Sequence, residues 1–340
     1  MADANAYIAA VGTALPGAPI DNQRLADRFG IDANWIEVFI GTRTRHFALD
    51  LDSKEQQYTL ADLAAQAGAK ALAASGLELE DIGFIVLGTA TPDALMPATV
   101  NLVADRLGLD HLPTYQLQSG CAGAVQALDL GYSLVSSGLH RNGLVLGGDV
   151  CAKILPLDQD FTTMPPSELV NFVLFGDGAG AAVITSEPVG ARLALRRVLN
   201  RLTGLGREPG QTVEWFGVAD LDSGRQPIRE DYKAIESAVP VMAREIVWEL
   251  MDELGWSEDE LDYVLPPQLS GRMTERIVAH MDLPGVAEVS CVAETGNTSN
   301  ALPFMQLARL LEVVEQGQKA IGVAVESSKW IKAGYALEKV

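Results

Sequence analysis

Cysteine is scarce: Cys121, Cys151 and Cys291 are the three in 340 residues, far apart and with no C-x-x-C pair. That spacing argues against a disulfide framework and a zinc site, and is better suited to one reactive thiol. Histidine numbers four, and basic residues number 25 against 45 acidic ones, a formal net charge of −20. A surface of that sign repels nucleic acid and acidic membranes, so an acidic partner needs a local basic patch. No window holds an apolar run long enough to span a bilayer, and Met1-Ala-Asp-Ala-Asn lacks the basic start and apolar core of a signal peptide. The expectation is a soluble, cytoplasmic protein with no metal, no nucleic-acid partner and no membrane partner.

What is present is a folding composition, with 48% apolar and 21% charged residues over a length that predicts more than one lobe. The segment Pro113 to Tyr132 reads as a short strand, then Cys121 between Gly120 and Gly123, then an amphipathic helix with Ala122, Val125, Ala127, Leu128 and Leu130 for burial. A cysteine at a helix start faces unpaired N–H groups and the positive dipole end, which predicts a lowered thiol pKa. The glycines allow a sharp turn and a close approach by a substrate carbonyl. The bland alternative is a buried cysteine in a small-residue turn.

Earlier, Ala6 to Gly12 reads as a strand, Asn22 to Phe29 as a helix, Thr59 to Ala74 as a long helix ended by Gly76, Ile85-Val-Leu as a buried strand and Ala98 to Leu107 as a helix. Leu144 to Cys151 reads as a strand ending near Asp149, and the proline-rich Leu155 to Asn171 as an excursion loop. Phe175 to Ile184 returns to a strand through glycines that lack the lysine of a phosphate-binding loop. The second half has strands at Arg192 to Leu199, Leu261 to Leu265, Val286 to Val292, Ala320 to Val325 and Gly334 to Val340. Its helices fall within Gln226 to Leu254, from about Arg272 to His280, and at Ala301 to Glu315. Alternating strands and helices predict an α/β fold with a mostly parallel sheet covered on both faces. The similar layout predicts two duplicated halves, 1–187 carrying the cysteine and 188–340, with the seam near Ser186 to Gly190.

Five segments, Thr91-Pro-Asp, Gly120-Cys121-Ala-Gly123, Leu146-Gly-Gly-Asp149, Phe175-Gly-Asp-Gly-Ala-Gly180 and Gly296-Asn297-Thr-Ser299, stand in the order found in 3-oxoacyl-acyl-carrier-protein synthase III. The chain resembles that family, of the thiolase superfamily, from about Ala6 to its C-terminus. The resemblance implies a thiolase-like five-layered αβαβα fold, a homodimer, and acyl transfer through a cysteine thioester with Cys121 as nucleophile and Asn297 as the matching amide. The family's histidine follows a proline and precedes a glutamine. Here the segment reads Leu265-Pro266-Pro267-Gln268, so Pro267 stands in its place, thirty residues before Asn297.

In the family's condensing reaction, histidine and asparagine donate to the thioester oxygen of a malonyl group as it loses carbon dioxide. Proline offers neither a ring N–H nor a backbone N–H. Losing one donor to a developing oxyanion costs about 2.7–4 kcal/mol, roughly a hundred- to a thousand-fold in rate. Acyl capture on Cys121 survives that loss, which points to acyl transfer onto an amine or hydroxyl. The other family landmark near the C-terminus is altered to Val325-Glu326-Ser327-Ser328. Backbone donors at Ser327 and Ser328 can still share an oxyanion hole with Cys121, and Glu326 is either a base for the acceptor or a strand-end glutamate paired elsewhere. His46, His111, His140 and His280 read as surface residues rather than bases.

Trp35 and Arg43 resemble family positions lining the pantetheine or nucleotide entrance, and Lys233 and Arg272 resemble carrier-protein docking positions. For Trp35, packing in a helix is an equal reading. The implied donor is a phosphopantetheine thioester on acyl carrier protein or CoA, with no bound cofactor. Met96 and the Leu155 to Asn171 excursion could shape the acyl pocket, which admits an aromatic, salicyl-type group or a short aliphatic one. Three readings follow: an acyltransferase of natural-product (polyketide or antibiotic) biosynthesis acting on a small-molecule acceptor, a decarboxylating chain-initiating ketosynthase, and a non-catalytic carrier-protein-binding partner. The intact Cys121 and Asn297 argue against the third.

Overall fold

Local signals fix where the elements begin and end. Thr59 caps the helix Leu60–Ser75 in a capping box with Asp62, and Gly76 closes it with φ 73°. Asp231 caps the helix Tyr232–Leu254, which ends at Gly255 with φ 66°. The computed structural model describes residues 6–154, 160–164, 166–214 and 228–340.

Its strands are β1 (Tyr7–Ala14), β2 (Ile20–Asp21), β3 (Thr44–Arg45), β4 (Ile85–Gly88), β5 (Thr114–Leu117), β6 (Asn142–Asp149) and β7 (Gly178–Thr185). They continue as β8 (Leu193–Leu202), β9 (Gln211–Val213), β10 (Ile228–Glu230), β11 (Tyr263–Leu265), β12 (Ala287–Glu288), β13 (Lys319–Glu326) and β14 (Ile331–Lys339). β2 pairs with β3 and β9 with β10 as separate two-stranded ribbons. The rest follow the order β12-β11-β13-β14-β8-β1-β7-β6-β4-β5.

This order is one plan used twice. In the first set β5, β4 and β6 are parallel, then β7 and β1 antiparallel; in the second β12, β11 and β13 are parallel, then β14 and β8 antiparallel. Antiparallel pairing of Tyr7 with Ala194 and Ile8 with Leu193 joins the sets. The expected mostly parallel sheet is therefore corrected to a mixed one. The turn between β13 and β14 is too short for a crossover, and the long excursion between β6 and β7 does not make one either.

The inner faces of both sets bury the helices Gly123–Ser136 and Leu302–Val313 between them, through residues such as Val125, Leu128, Phe304 and Leu307. Outside the first set lie the helices Leu60–Ser75 and Thr99–Leu107; outside the second lie Tyr232–Leu254 and Gly271–Met281. The layers read αβαβα. Two further expectations are corrected. Pro166–Leu174 is helical inside the stretch read as a loop, while residues 155–159 and 165 of that stretch lie outside the described residues. The strand expected over Val286 to Val292 is only Ala287–Glu288, because the N–H of Cys291 bonds the Gln268 side chain at 3.0 Å and Val292–Thr295 turns into a helix.

Candidate active site

β5 delivers the chain to a tight turn at Ser119, Gly120 and Cys121, from which the inner helix starts at Gly123. Gly120 has φ 50°, and a Cβ there would collide with the Glu326 carboxylate, so both backbone shape and space require glycine. A buried polar network holds the turn. The Asn300 side chain donates to the Gly120 carbonyl at 2.9 Å and accepts from the Ala124 N–H at 2.7 Å. Its backbone and side-chain N–H groups in turn reach Asp149 at 3.1 and 2.7 Å. The other Asp149 oxygen accepts from the Thr89 and Thr91 hydroxyls and the Ala90 and Thr91 N–H groups at 2.8–3.0 Å. The Thr-Pro-Asp, Gly-Gly-Asp and Gly-Asn-Thr-Ser segments thus converge, from both halves of the chain, on the cysteine turn.

Glu326, the last residue of β13, is buried with its carboxylate against this turn. One oxygen accepts from the Cys121 N–H, and the other accepts from the Ser328 N–H at 2.6 Å. The Cys121 thiol also faces this carboxylate, while the Ser299 hydroxyl donates to its sulfur at 3.5 Å. Ser299 sits at φ 49°, a conformation that costs a non-glycine residue about 1–3 kcal/mol and recurs at functional sites. The expectation of a lowered thiol pKa is corrected. Burial first, then the charge of Glu326, push the Cys121 thiol well above its ordinary value, with Asp149 adding to the shift and Ser299 opposing it. A carboxylate beside a thiol disfavours the thiolate, opposite to the effect of the helix dipole.

Cys121 borders two cavities. The narrower, about 80 Å³, is lined by Pro267, Asn297, Ser299, Tyr232 and Ile235; the larger, about 300 Å³, by Thr91, Cys151, Phe175, Val213, Glu230 and Glu326. Asn297 binds its side-chain oxygen to the Ser299 N–H at 2.9 Å, so its NH₂ end is the part left for a ligand. Pro267 is buried beside it, and none of the chain's four histidines lines either cavity. His46 is buried, contrary to the surface reading, with Nδ1 2.9 Å from the Pro16 carbonyl.

The residues read as donor-binding lie away from these linings. Trp35 packs with Phe39 and a small cluster around Ile36 and Ile40, and Arg43 pairs with Glu294. Arg272 donates to the Val38 carbonyl at 2.9 Å and pairs with Glu275 at 3.1 Å, while Lys233 is exposed one residue beyond the cavity-lining Tyr232. Met96 is 87% exposed, so it shapes neither cavity in this chain. Ser327 and Ser328 line the narrow and the wide cavity respectively. Sequence reasoning gave no site role to Ser299, Asn300 or Asp149. The signal lay in segments already singled out, but only contact across the two halves gives it meaning.

A repeated five-strand plan around two inner helices, with a cysteine at the start of one of them and an asparagine loop from the other half against it, defines a thiolase-like enzyme fold. Family models described as 3-oxoacyl-[acyl-carrier-protein (ACP)] synthase III and its C-terminal part match residues 115–196 and 251–327. Beta-ketoacyl-[acyl-carrier-protein] synthase III of Neisseria gonorrhoeae is 30% identical over 298 residues, 87% of each chain. The enzyme of that name from Pseudomonas aeruginosa is 33% identical over 312 residues, covering 89% of this chain and 87% of the relative. Among solved structures, AbyA1, a tetronic acid condensing enzyme, matches with TM-score 0.95 and 57% identity over 98% of this chain and 99% of that one. The 3-oxoacyl-(acyl carrier protein) synthase III of P. aeruginosa matches with TM-score 0.84 and 29% identity over 98% of each. The chain belongs to the 3-oxoacyl-acyl-carrier-protein synthase III family. Among the described residues no helix is long and apolar enough to cross a membrane.

Proposed function

We propose that the chain is an acyltransferase that takes an acyl group from a phosphopantetheine thioester, on acyl carrier protein or CoA, onto Cys121. It then passes the group to an acceptor that brings its own ionisable proton. The observation that carries this reading is Pro267 in the wall of the cysteine cavity, where the family's histidine is expected, with no imidazole of the chain in its place. Without that donor the enolate formed by decarboxylation loses about 2.7–4 kcal/mol of stabilisation. A hydroxyl or an amine needs no such enolate. Nor does a carbon between two carbonyls, whose proton leaves without loss of carbon dioxide.

The 57% identity to a tetronic acid condensing enzyme supports a role in natural-product assembly. A tetronic acid is a five-membered lactone with a carbon between two carbonyl positions, so building one from thioesters calls for acyl–oxygen and acyl–carbon bonds on such acceptors. A homodimer, as the family resemblance implies, belongs to this proposal.

The test is to incubate the protein with acyl thioesters, locate the adduct by mass spectrometry, and offer separately malonyl-carrier protein, alcohols, amines and β-ketoacyl thioesters. Discharge by any of the last three without carbon dioxide supports the reading. Discharge only by malonyl with carbon dioxide release would make this a chain-initiating ketosynthase, and no adduct would leave a carrier-binding scaffold. A companion variant, Pro267→His, is expected to raise carbon dioxide release from malonyl-carrier protein by about ten- to a hundred-fold, part of what one donor is worth.

A further inference from the structure

An oxyanion hole works by presenting N–H donors to a carbonyl oxygen as it gains charge. In this chain the N–H groups of Cys121 and Ser328, one on each side of the cysteine turn, are both bonded to one carboxylate. Glu326 reaches them from the end of β13, over a glycine whose missing side chain makes room. The hole is therefore built and filled by the protein itself. The thiol that must be deprotonated faces the same carboxylate.

We propose that Glu326 is the proton acceptor of this site and closes its oxyanion hole until a thioester enters, so that deprotonating Cys121 and opening the hole are one event. This rests on the acyltransferase reading and adds the group that moves the proton. Ionised acceptors make hydrogen bonds roughly twice as strong as neutral ones. When the carboxylate takes the Cys121 proton it becomes a neutral acid and its hold on the two N–H groups weakens. They then pass to the thioester oxygen, which gains charge as the sulfur attacks the carbonyl carbon. On collapse the bond from carbon to the donor sulfur breaks, and the departing thiolate takes the proton from Glu326 and leaves as a thiol. In the second half, an O–H, N–H or acidic C–H of the acceptor gives its proton to Glu326 as it bonds the acyl carbon, and the Cys121 thiolate is expelled and reprotonated by Glu326. No oxidant or reductant enters.

The groups facing the sulfur are Glu326 from β13, Asp149 from the end of β6, Cys151 just after it and the Ser299 hydroxyl, with Glu230 of β10 in the wall of the larger cavity. Glu326 alone among them bonds both N–H groups of the hole.

The test compares wild type with Glu326→Gln, which keeps the volume, and Glu326→Ala, each checked by thermal melting; should the alanine variant melt early, the glutamine variant carries the test. Removing the charge is expected to speed iodoacetamide alkylation of Cys121 several-fold near neutral pH, because the thiol pKa falls. Acyl transfer from a simple acyl thioester to an alcohol or amine is expected to slow by about 10²–10⁴-fold, the size of a lost acid–base group. These opposite movements are the signature, since a glutamate that merely capped two N–H groups would leave transfer unchanged or faster when removed. A wild-type chain that loads, with both variants loading and discharging equally fast, overturns this inference alone. A wild-type chain that takes up no acyl group overturns the acyltransferase reading and this inference together.

Discussion

Cys121→Ala is expected to abolish the acyl adduct and to lower turnover by about 10⁶-fold, the scale seen when the nucleophile of a covalent mechanism is removed. The expectation is site-specific because the other two thiols are differently placed. Cys151 is buried and borders the larger cavity alone, whereas Cys121 also lines the narrow one with Pro267 and Asn297. Cys291 is buried beside Gln268 and lines neither cavity. Peptide mapping after incubation with an acyl thioester should find the added mass on the Cys121 peptide alone, and no added mass in the variant. An equal adduct on Cys121→Ala would remove the sulfur from the mechanism.

The second large effect is on stability. Asp149→Ala should lower the unfolding free energy by about 3–5 kcal/mol, because it leaves a cluster of buried donors without their acceptor. The carboxylate accepts from the Thr89 and Thr91 hydroxyls, the Ala90 and Thr91 N–H groups, and both N–H groups of Asn300. Denaturant titration should show the midpoint falling with little change in slope. Asn300 also fixes the Gly120 carbonyl and the Ala124 N–H, so any variant that remains folded should load acyl groups slowly. A fall below about 1 kcal/mol, within the range of a single ordinary hydrogen bond, would mean that water satisfies these donors.

The sequence was most legible where one local signal sufficed. Thr59 and Gly76 bound a helix by capping chemistry, the run Ile85-Val-Leu is a strand buried on both sides, and Gly120 and Gly123 flank a turn that opens a helix. Motif order was enough for the family and for Cys121 and Pro267 beside one cavity. It was less legible at strand direction, since β7 and β14 reverse the parallel trend through connections whose course depends on the sheet they rejoin. The thiol's pKa was misjudged because its strongest charged neighbour is 205 residues away in the chain.

By itself the sequence determined the layered α/β plan, its repetition, a cysteine at the head of an inner helix, and the absence of the family's histidine from the Pro266-Pro267 segment. Those features are written in side-chain period, capping residues and motif order, which act over a few neighbours. Only the tertiary structure decided that Glu326 bonds the N–H groups of Cys121 and Ser328, that Asp149 and Asn300 fasten the cysteine turn, and that Ser299 meets the sulfur. Each of these is a contact between strand or helix ends that packing brings together, and its energy depends on burial and on the charge of groups far off in the chain.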